Sequence, residues 1–324
     1  MTSLAFGSIP EVIAEDTAIA LDRRLGYLYA RERLGIEGEH KALQSGGGLG
    51  AFSIEKLIFR QFLRALLTAT GLYWRGLENA KRVEVRHNVI KSPRLPLGFQ
   101  GYRMLHLSDL HADMNQEAMQ RIVSLVRNLH YDVCVITGDF RGALTGPFDD
   151  TLREVAHLRR ALRGPLYGVL GNHDAAAMVP ALEEMGIRML LNEHVVLERG
   201  SERIHLAGID DAHFYQIASI EQVADGIPRS EFAILLSHSP EIYKQAAHVG
   251  FAVLISGHTH GGQICLPGGI PLTLDAKLPR HMGAGAWKYL DMFGYTSVGA
   301  GSSIVPVRFN CPPEITLHHF RRSG

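Results

Sequence analysis

Short apolar runs that stop at polar turns organise most of this chain. Phe251-Ala252-Val253-Leu254-Ile255 carries no polar side chain and predicts a strand buried on both faces. It stops at Ser256-Gly257-His258-Thr259-His260-Gly261-Gly262-Gln263, a Gly-rich turn with two histidines one residue apart. Four other runs follow the same plan. Residues 102 to 107 lead into Ser108-Asp109-Leu110-His111, and 133 to 136 into Thr137-Gly138-Asp139. Residues 166 to 170 lead into Gly171-Asn172-His173-Asp174, and 232 to 236 into Ser237-His238-Ser239. Helical spacing at Met119, Ile122, Val123, Val126 and Leu129 predicts a helix over 115–130, with further helices over 150–162 and 175–185. The later part is richer in strands. Residues 195–198 and 204–207 flank Arg199-Gly200-Ser201-Glu202 as a hairpin, and 295–298 and 314–317 predict closing strands. Short helices are expected over 219–224 and 241–247. Alternating βα units with a β-rich second half argue for an α/β sandwich.

Upstream the pattern changes. Residues 1–52 read as an irregular or weakly helical extension, in which 11–33 predict one or two helices and Ser45 to Gly50 a flexible linker. No Gly-Lys-Ser/Thr follows that glycine run, which argues against a phosphate-cradling loop. Residues 53–82 predict an amphipathic helix. Lys56, Arg60, Arg64, Arg75 and Arg82 lie opposite Phe59, Phe62, Leu63, Leu66, Leu67, Tyr73 and Trp74. Such a helix either lies on a membrane surface or packs on its own domain; amphipathicity does not choose between the two. Residues 82–90 alternate like an edge strand, so the main domain is expected over 83–324.

Composition narrows the picture. With 324 residues, 46% of them hydrophobic, the chain can bury a full core. Thirty-three basic and 33 acidic side chains balance to zero, which gives no support to bulk nucleic-acid attraction, and no such partner is expected. The three cysteines are isolated; Cys134 falls in a predicted strand as a small core residue, and the count suits a reducing compartment. Met1 to Pro10 lacks a basic leader segment, and no run of about 18 uncharged apolar residues occurs. A cytoplasmic location is expected, peripheral on the inner membrane if 53–82 meets lipid.

The five strand ends together offer Asp109, His111, Asp139, Asn172, His238, His258 and His260, a mixed nitrogen and oxygen donor set without thiolate. That set suits Mn, Fe or Zn rather than Ca or a Cys-bound zinc. Asp-x-His, Gly-Asp, Gly-Asn-His-Asp, an isolated His and Gly-His-x-His, in this order over residues 101–320, resemble the calcineurin-like metallophosphoesterases. The resemblance implies two facing mixed sheets flanked by helices, and two divalent ions, Mn first, with Zn or Fe as alternatives. It implies that Asp139 bridges the ions, that Asp109, His111 and His260 complete one site, and that Asn172, His238 and His258 complete the other. His173 then stabilises the transition state or protonates the leaving oxygen. The implied activity is hydrolysis of a phosphodiester or pyrophosphate by hydroxide generated between the metals. One departure stands out: where many members read Gly-Asp-x-x-Asp, this chain has Gly138-Asp139-Phe140-Arg141-Gly142. The C-terminal segment, with Pro306, Arg308, Cys311, Pro312, Pro313 and Glu314, resembles a bacterial membrane-associated subgroup. It includes pyrophosphatases that cleave UDP-2,3-diacylglucosamine in lipid A biosynthesis. A lipid-linked nucleotide is therefore the expected substrate. The alternatives are a soluble protein or nucleotide phosphatase, or an inactive metal-binding scaffold. Trp287, Tyr289 and Phe293 beside the metals would favour the lipid, and His213 and Gly299 to Ser303 are further candidates for the cleft.

Overall fold

A computed structural model describes residues 15–45, 61–303 and 305–324. The expected linker at 45–50 falls almost wholly outside the described residues, as do 53–60 of the amphipathic segment. The chain opens with α1 (Glu15–Leu25) and α2 (Tyr27–Ser45). Two further helices follow, α3 over 61–69 and α4 (Leu72–Lys81). The segment expected as one helix breaks at Thr70-Gly71. The Thr70 hydroxyl donates to the carbonyls of Leu66 and Leu67, and Gly71 takes a φ of 71°. That φ suits glycine, and both helices then pack Leu63, Leu67, Tyr73 and Leu77 into one cluster with Val305 and Val307.

Strand β1 (Glu84–Ser92) is the expected edge strand, and β2 (Arg103–Leu107) begins the βα units. They continue through α5 (Gln116–Val126), β3 (Val133–Thr137), α6 (Asp149–Arg159), β4 (Leu166–Val169), α7 (Val179–Glu184) and β5 (Arg188–Met189). Asn115 caps α5 by accepting from the Ala118 N–H. The β-rich half holds the expected hairpin β6 (Glu193–Arg199) and β7 (Glu202–Gly208), then α8 (Ile220–Ala224), β8 (Ala233–Leu236), α9 (Tyr243–Val249) and β9 (Val253–Ser256). A small hairpin, β10 (Cys265–Leu266) and β11 (Ile270–Pro271), precedes β12 (Gly285–Tyr289), β13 (Met292–Thr296) and β14 (Glu314–Arg322). Strands β5, β10, β11 and β12 have no strong apolar run behind them, and periodicity did not predict them.

Two six-stranded mixed sheets face each other, in the orders β1-β14-β2-β3-β4-β5 and β12-β13-β9-β8-β7-β6. Strands β2, β3 and β4 run parallel, as do β8 and β9, so their carboxyl ends gather on one rim. Alternation divides the core. Met104, Val133, Val135 and Phe320 meet Ile234, Leu236, Val253 and Ile255 between the sheets. Leu105, Leu107, Cys134 and Ile136 meet α5, α6 and α7 on one outer face. Leu235 and Leu254 meet Tyr243 and Trp287 on the other. The N-terminal helices are tied to both halves: Arg24 pairs with Glu183 of α7 and Glu193 of β6, and buried Arg33 with Asp210 just after β7.

Candidate metal centre

The rim of parallel strand ends brings all the predicted donors together. Among the described residues, Asp109, His111, Asp139 and His260 place one donor atom each within 4.8 Å of one another. His111 Nε2 lies 3.1 Å from His260 Nε2 and 3.8 Å from Asp139 Oδ2, and His260 Nε2 lies 3.5 Å from Asp109 Oδ1. The remaining donors form an adjoining group. His238 Nε2 lies 3.0 Å from Asn172 Oδ1, 3.2 Å from His258 Nδ1 and 3.4 Å from Asp139 Oδ1. Asp139 therefore stands between the two groups, the position a shared ligand needs.

Backbone carbonyls decide which ring nitrogen faces the centre. His111 Nδ1 donates to the Arg141 carbonyl at 2.8 Å, leaving Nε2 with a lone pair toward the donors. His238 Nδ1 donates to the Thr137 carbonyl at 2.8 Å, which turns Nε2 toward the donors. His258 presents Nδ1 to the centre, and its buried Nε2 has no hydrogen-bond partner among the described residues. The backbone is bent to achieve this. Asp109, His111, Asp139, His258 and His260 all have φ between 41° and 72°, half of the ten described non-glycine residues with positive φ. Such conformations cost roughly 1 kcal/mol or more each and cluster at functional sites. Glycine is required at 257, where a Cβ would collide with Ser108 Oγ and the Asp109 carboxylate.

Electrostatics agree with a cation site. Burial holds the Asp109 carboxyl up to about 6, with Asp139 adding to it and His238 opposing. Burial opposes charge on His238 too, yet Asp139 and Asp109 raise it to about 10, so its proton offsets the carboxylates when nothing else does. Burial pushes His111 down to about 4 and His258 and His260 well below the usual imidazole range, so these three are neutral donors. Two carboxylates, four imidazoles and an amide oxygen on one rim fit divalent metal ions such as Mn, Zn or Fe. In a calcineurin-like centre, the ions would supply hydroxide near neutral pH and neutralise charge building on the phosphoryl oxygens.

His173 sits beside this group without joining it. Its Nδ1 donates to the Gly142 carbonyl at 2.7 Å, its backbone N–H donates to Asp139 Oδ1 at 2.9 Å, and its Nε2 lies 3.9 Å from Asp139 Oδ2. His173 shares the wall of a cavity of about 200 Å³ with Asp139, Asn172, His258 and His260. The same cavity is also lined by the apolar side chains of Leu63 of α3, Ile264, Leu272 and Val305, and by Thr259, Gln263, Thr273, Asp275 and Ser303.

Several expectations are revised. Trp287, Tyr289 and Phe293 do not line this cavity; Trp287 and Tyr289 pack around Tyr243 and Phe293 sits against the inter-sheet core. The Asp174 carboxylate accepts from the N–H groups of Phe140, Arg141 and Gly171, tying the Asp139 loop to the Asn172 loop. Ala300 and Gly301 spend their N–H groups on the carbonyls of Ser108 and Asp109, so that turn braces the Asp109 loop. His213 does reach the centre: its ring lies 4.3 Å from that of His258, with Nδ1 2.6 Å from Glu241. Arg141 stands within the departing Gly138-Asp139-Phe140-Arg141-Gly142 stretch and was not foreseen. Its buried guanidinium donates to the carbonyls of His173, Leu144 and Gly146, closing the loop from within.

The profile of the family described as calcineurin-like phosphoesterase matches residues 102–262, the span that carries every one of these donors. A metallophosphoesterase of Bacillus subtilis named YkoQ, described as uncharacterized, is 30% identical over 78% of this chain and 96% of its own length. The chain belongs to the calcineurin-like metallophosphoesterase family. It is a metal-dependent phosphoester hydrolase. A second Bacillus subtilis metallophosphoesterase, YkuE, is 30% identical over 82% of this chain and 98% of its own length. A Danio rerio relative, named transmembrane protein with metallophosphoesterase domain, is 31% identical over 90% of this chain and 67% of its own length. In this metallophosphoesterase no described helix is long and apolar enough to cross a membrane.

Proposed function

We propose that this metallophosphoesterase hydrolyses a phosphodiester or pyrophosphate bond of a lipid-linked substrate, such as a nucleotide-linked diacyl sugar, at a binuclear Mn centre. Asp109, His111 and His260 would hold one ion and Asn172, His238 and His258 the other, with Asp139 between the two groups and available to both. The neutral Asn172 oxygen limits the negative charge that meets the anionic substrate. His173 is the catalytic residue beyond the metals. The Gly142 carbonyl fixes its ring, and Nε2 faces the cleft for a proton or a hydrogen bond to the leaving oxygen. His213, held by Glu241, completes the rim behind His258.

The observation that carries the lipid reading is the apolar group in the cavity that holds the donors: Leu63, Ile264, Leu272 and Val305 offer surface that an acyl chain can bury. Further apolar side chains are exposed. Phe62, Leu66 and Trp74 are 63%, 49% and 68% exposed, and Leu266, Ile270 and Leu272 on the β10–β11 side are about half exposed. Exposed Arg64 and Arg75 lie on the same two helices, α3 and α4. Apolar and basic groups together suit an anionic membrane surface, which the enzyme would meet from its cytoplasmic side. On this reading residues 53–82 form a membrane-facing unit at the mouth of the 83–324 catalytic domain.

The test is hydrolysis of bis-p-nitrophenyl phosphate, p-nitrophenyl phosphate and UDP-2,3-diacylglucosamine with Mn, Zn or Mg, each with and without detergent. Preferential, detergent-sensitive cleavage of the lipid nucleotide is expected. Cleavage of the small diester alone would keep the chemistry and remove the lipid. No turnover with any metal would leave the scaffold reading standing.

A further inference from the structure

A chain of side-chain hydrogen bonds runs through the inter-sheet core to Asp109. Asn88 Nδ2 lies 2.9 Å from His318 Nδ1, and His318 Nε2 lies 3.4 Å from His106 Nδ1. His106 Nε2 lies 2.8 Å from Thr137 Oγ1, Thr137 Oγ1 2.8 Å from Ser108 Oγ, and Ser108 Oγ 2.6 Å from Asp109 Oδ2. His318, His106 and Thr137 stand on the neighbouring strands β14, β2 and β3 and are fully buried. They replace apolar side chains on a face otherwise filled by Met104, Val133, Val135 and Phe320. Burying so many polar groups costs free energy unless every one is paired, so a continuous chain asks for a reason.

The chemistry of the links sets one direction. An amide nitrogen only donates, so His318 accepts at Nδ1 and carries its hydrogen on Nε2. His106 then accepts at Nδ1 and donates from Nε2 to the Thr137 hydroxyl. Thr137 donates to Ser108, and Ser108 donates to Asp109. Each donor polarises the next, so the last hydroxyl is a stronger donor than an isolated serine. Burial keeps both imidazoles neutral, His106 down to about 3, so the chain delivers hydrogen bonds without carrying a charge. At its end Asp109 Oδ2 is occupied by Ser108 and by the His258 N–H at 3.1 Å, while Oδ1 faces His260 Nε2.

We infer that Asn88, His318, His106, Thr137 and Ser108 form one positioning relay that fixes the rotation of the Asp109 carboxylate and thereby sets metal affinity at the Asp109, His111 and His260 group. The inference rests on those residues holding a metal, so its test reads binding directly. Mn(II) titration of the full chain, followed by the electron paramagnetic resonance of free Mn(II), gives affinity without turnover. Ser108→Ala and His106→Leu are each expected to weaken the tighter Mn(II) site about 10- to 100-fold, the range for groups that orient a ligand. His106→Gln can accept from His318 and donate to Thr137, and is expected to restore near wild-type affinity. Because the residues act in series, the double variant should lose no more than the weaker-binding single variant. Thr137→Val breaks the same link at constant shape and replaces His106→Leu if circular dichroism shows that variant unfolded. Unchanged affinity in Ser108→Ala and in either core variant, or losses that multiply in the double, would overturn the relay. Absence of Mn(II) binding by the wild-type protein would overturn the metal centre itself, a distinguishable result.

Discussion

On the floor of the cleft, Asp139, Asn172, His173, His258 and His260 hang from strand ends and are fixed by hydrogen bonds to backbone or to one another. On its side wall, Leu63, Ile264 and Val305 come from distant segments that pack with Leu67, Tyr73 and Val307, and Leu272 stands half exposed at the edge. The floor tolerates strained backbone because directional bonds over-determine it. The wall needs only area and shape, and several sequences would serve. On the proposed reading, chemistry is concentrated where single atoms matter, and substrate preference where surface matters.

If that division is right, the largest effect belongs to the shared carboxylate. Asp139→Asn should lower kcat on a small diester with Mn about a thousandfold or more, several kcal/mol of barrier, while far-ultraviolet circular dichroism stays unchanged. Activity near wild type would remove Asp139 from the centre. His173→Gln should cost roughly 10²- to 10⁴-fold in kcat and leave Mn stoichiometry unaltered. A matching loss of bound metal would make His173 a ligand instead.

The third expected effect is on stability. In metal-free protein His238 is held up to about 10 from an ordinary 6.5, so its proton stabilises the fold fully below about pH 6.5 and that contribution fades as pH rises toward 10. Bound metal needs the neutral ring, so the loaded protein lacks this dependence. The gap in Tm between Mn-loaded and chelator-treated protein should widen from pH 7 to about pH 9.5 by a few degrees. A gap that is flat over this range would break the reading that the His238 proton compensates the carboxylates. The smallest effect concerns the wall. Leu63→Ser with Leu272→Ser should raise KM for an acylated substrate about tenfold, the worth of one or two buried apolar groups, and leave small-diester kinetics unchanged. Equal losses on both substrates would show that the wall supports the floor and does not select.

The two halves of the cleft also differ in how far they could be read in advance. Every floor residue lies where an apolar run stops, and the parallel order of β2, β3, β4 and of β8, β9 turns those stops into one rim. The spacing Asp109-x-His111 and His258-x-His260 was thus informative because strand direction is nearly fixed by βα alternation. Leu63 carried only half a signal: its helical period marked an apolar face, but Gly71 splits that face, sending Leu67 and Tyr73 inward and leaving Phe62, Leu66 and Trp74 outside. Trp287 misled because a large aromatic near the motif in sequence reads as a cleft residue, whereas β12 carries it to the outer layer beside Tyr243.

The strand ends, the donor types and the α/β plan are legible along the chain, because they follow from local periodicity and from which atoms can bind a cation. Which imidazole nitrogen faces the centre, how Asp174 and Arg141 bind loops together, and how His106 and His318 join Asn88 to Asp109 emerge on folding alone. Those outcomes depend on hydrogen bonds between strands that are neighbours in space and far apart in the chain, and no spacing along the sequence encodes them.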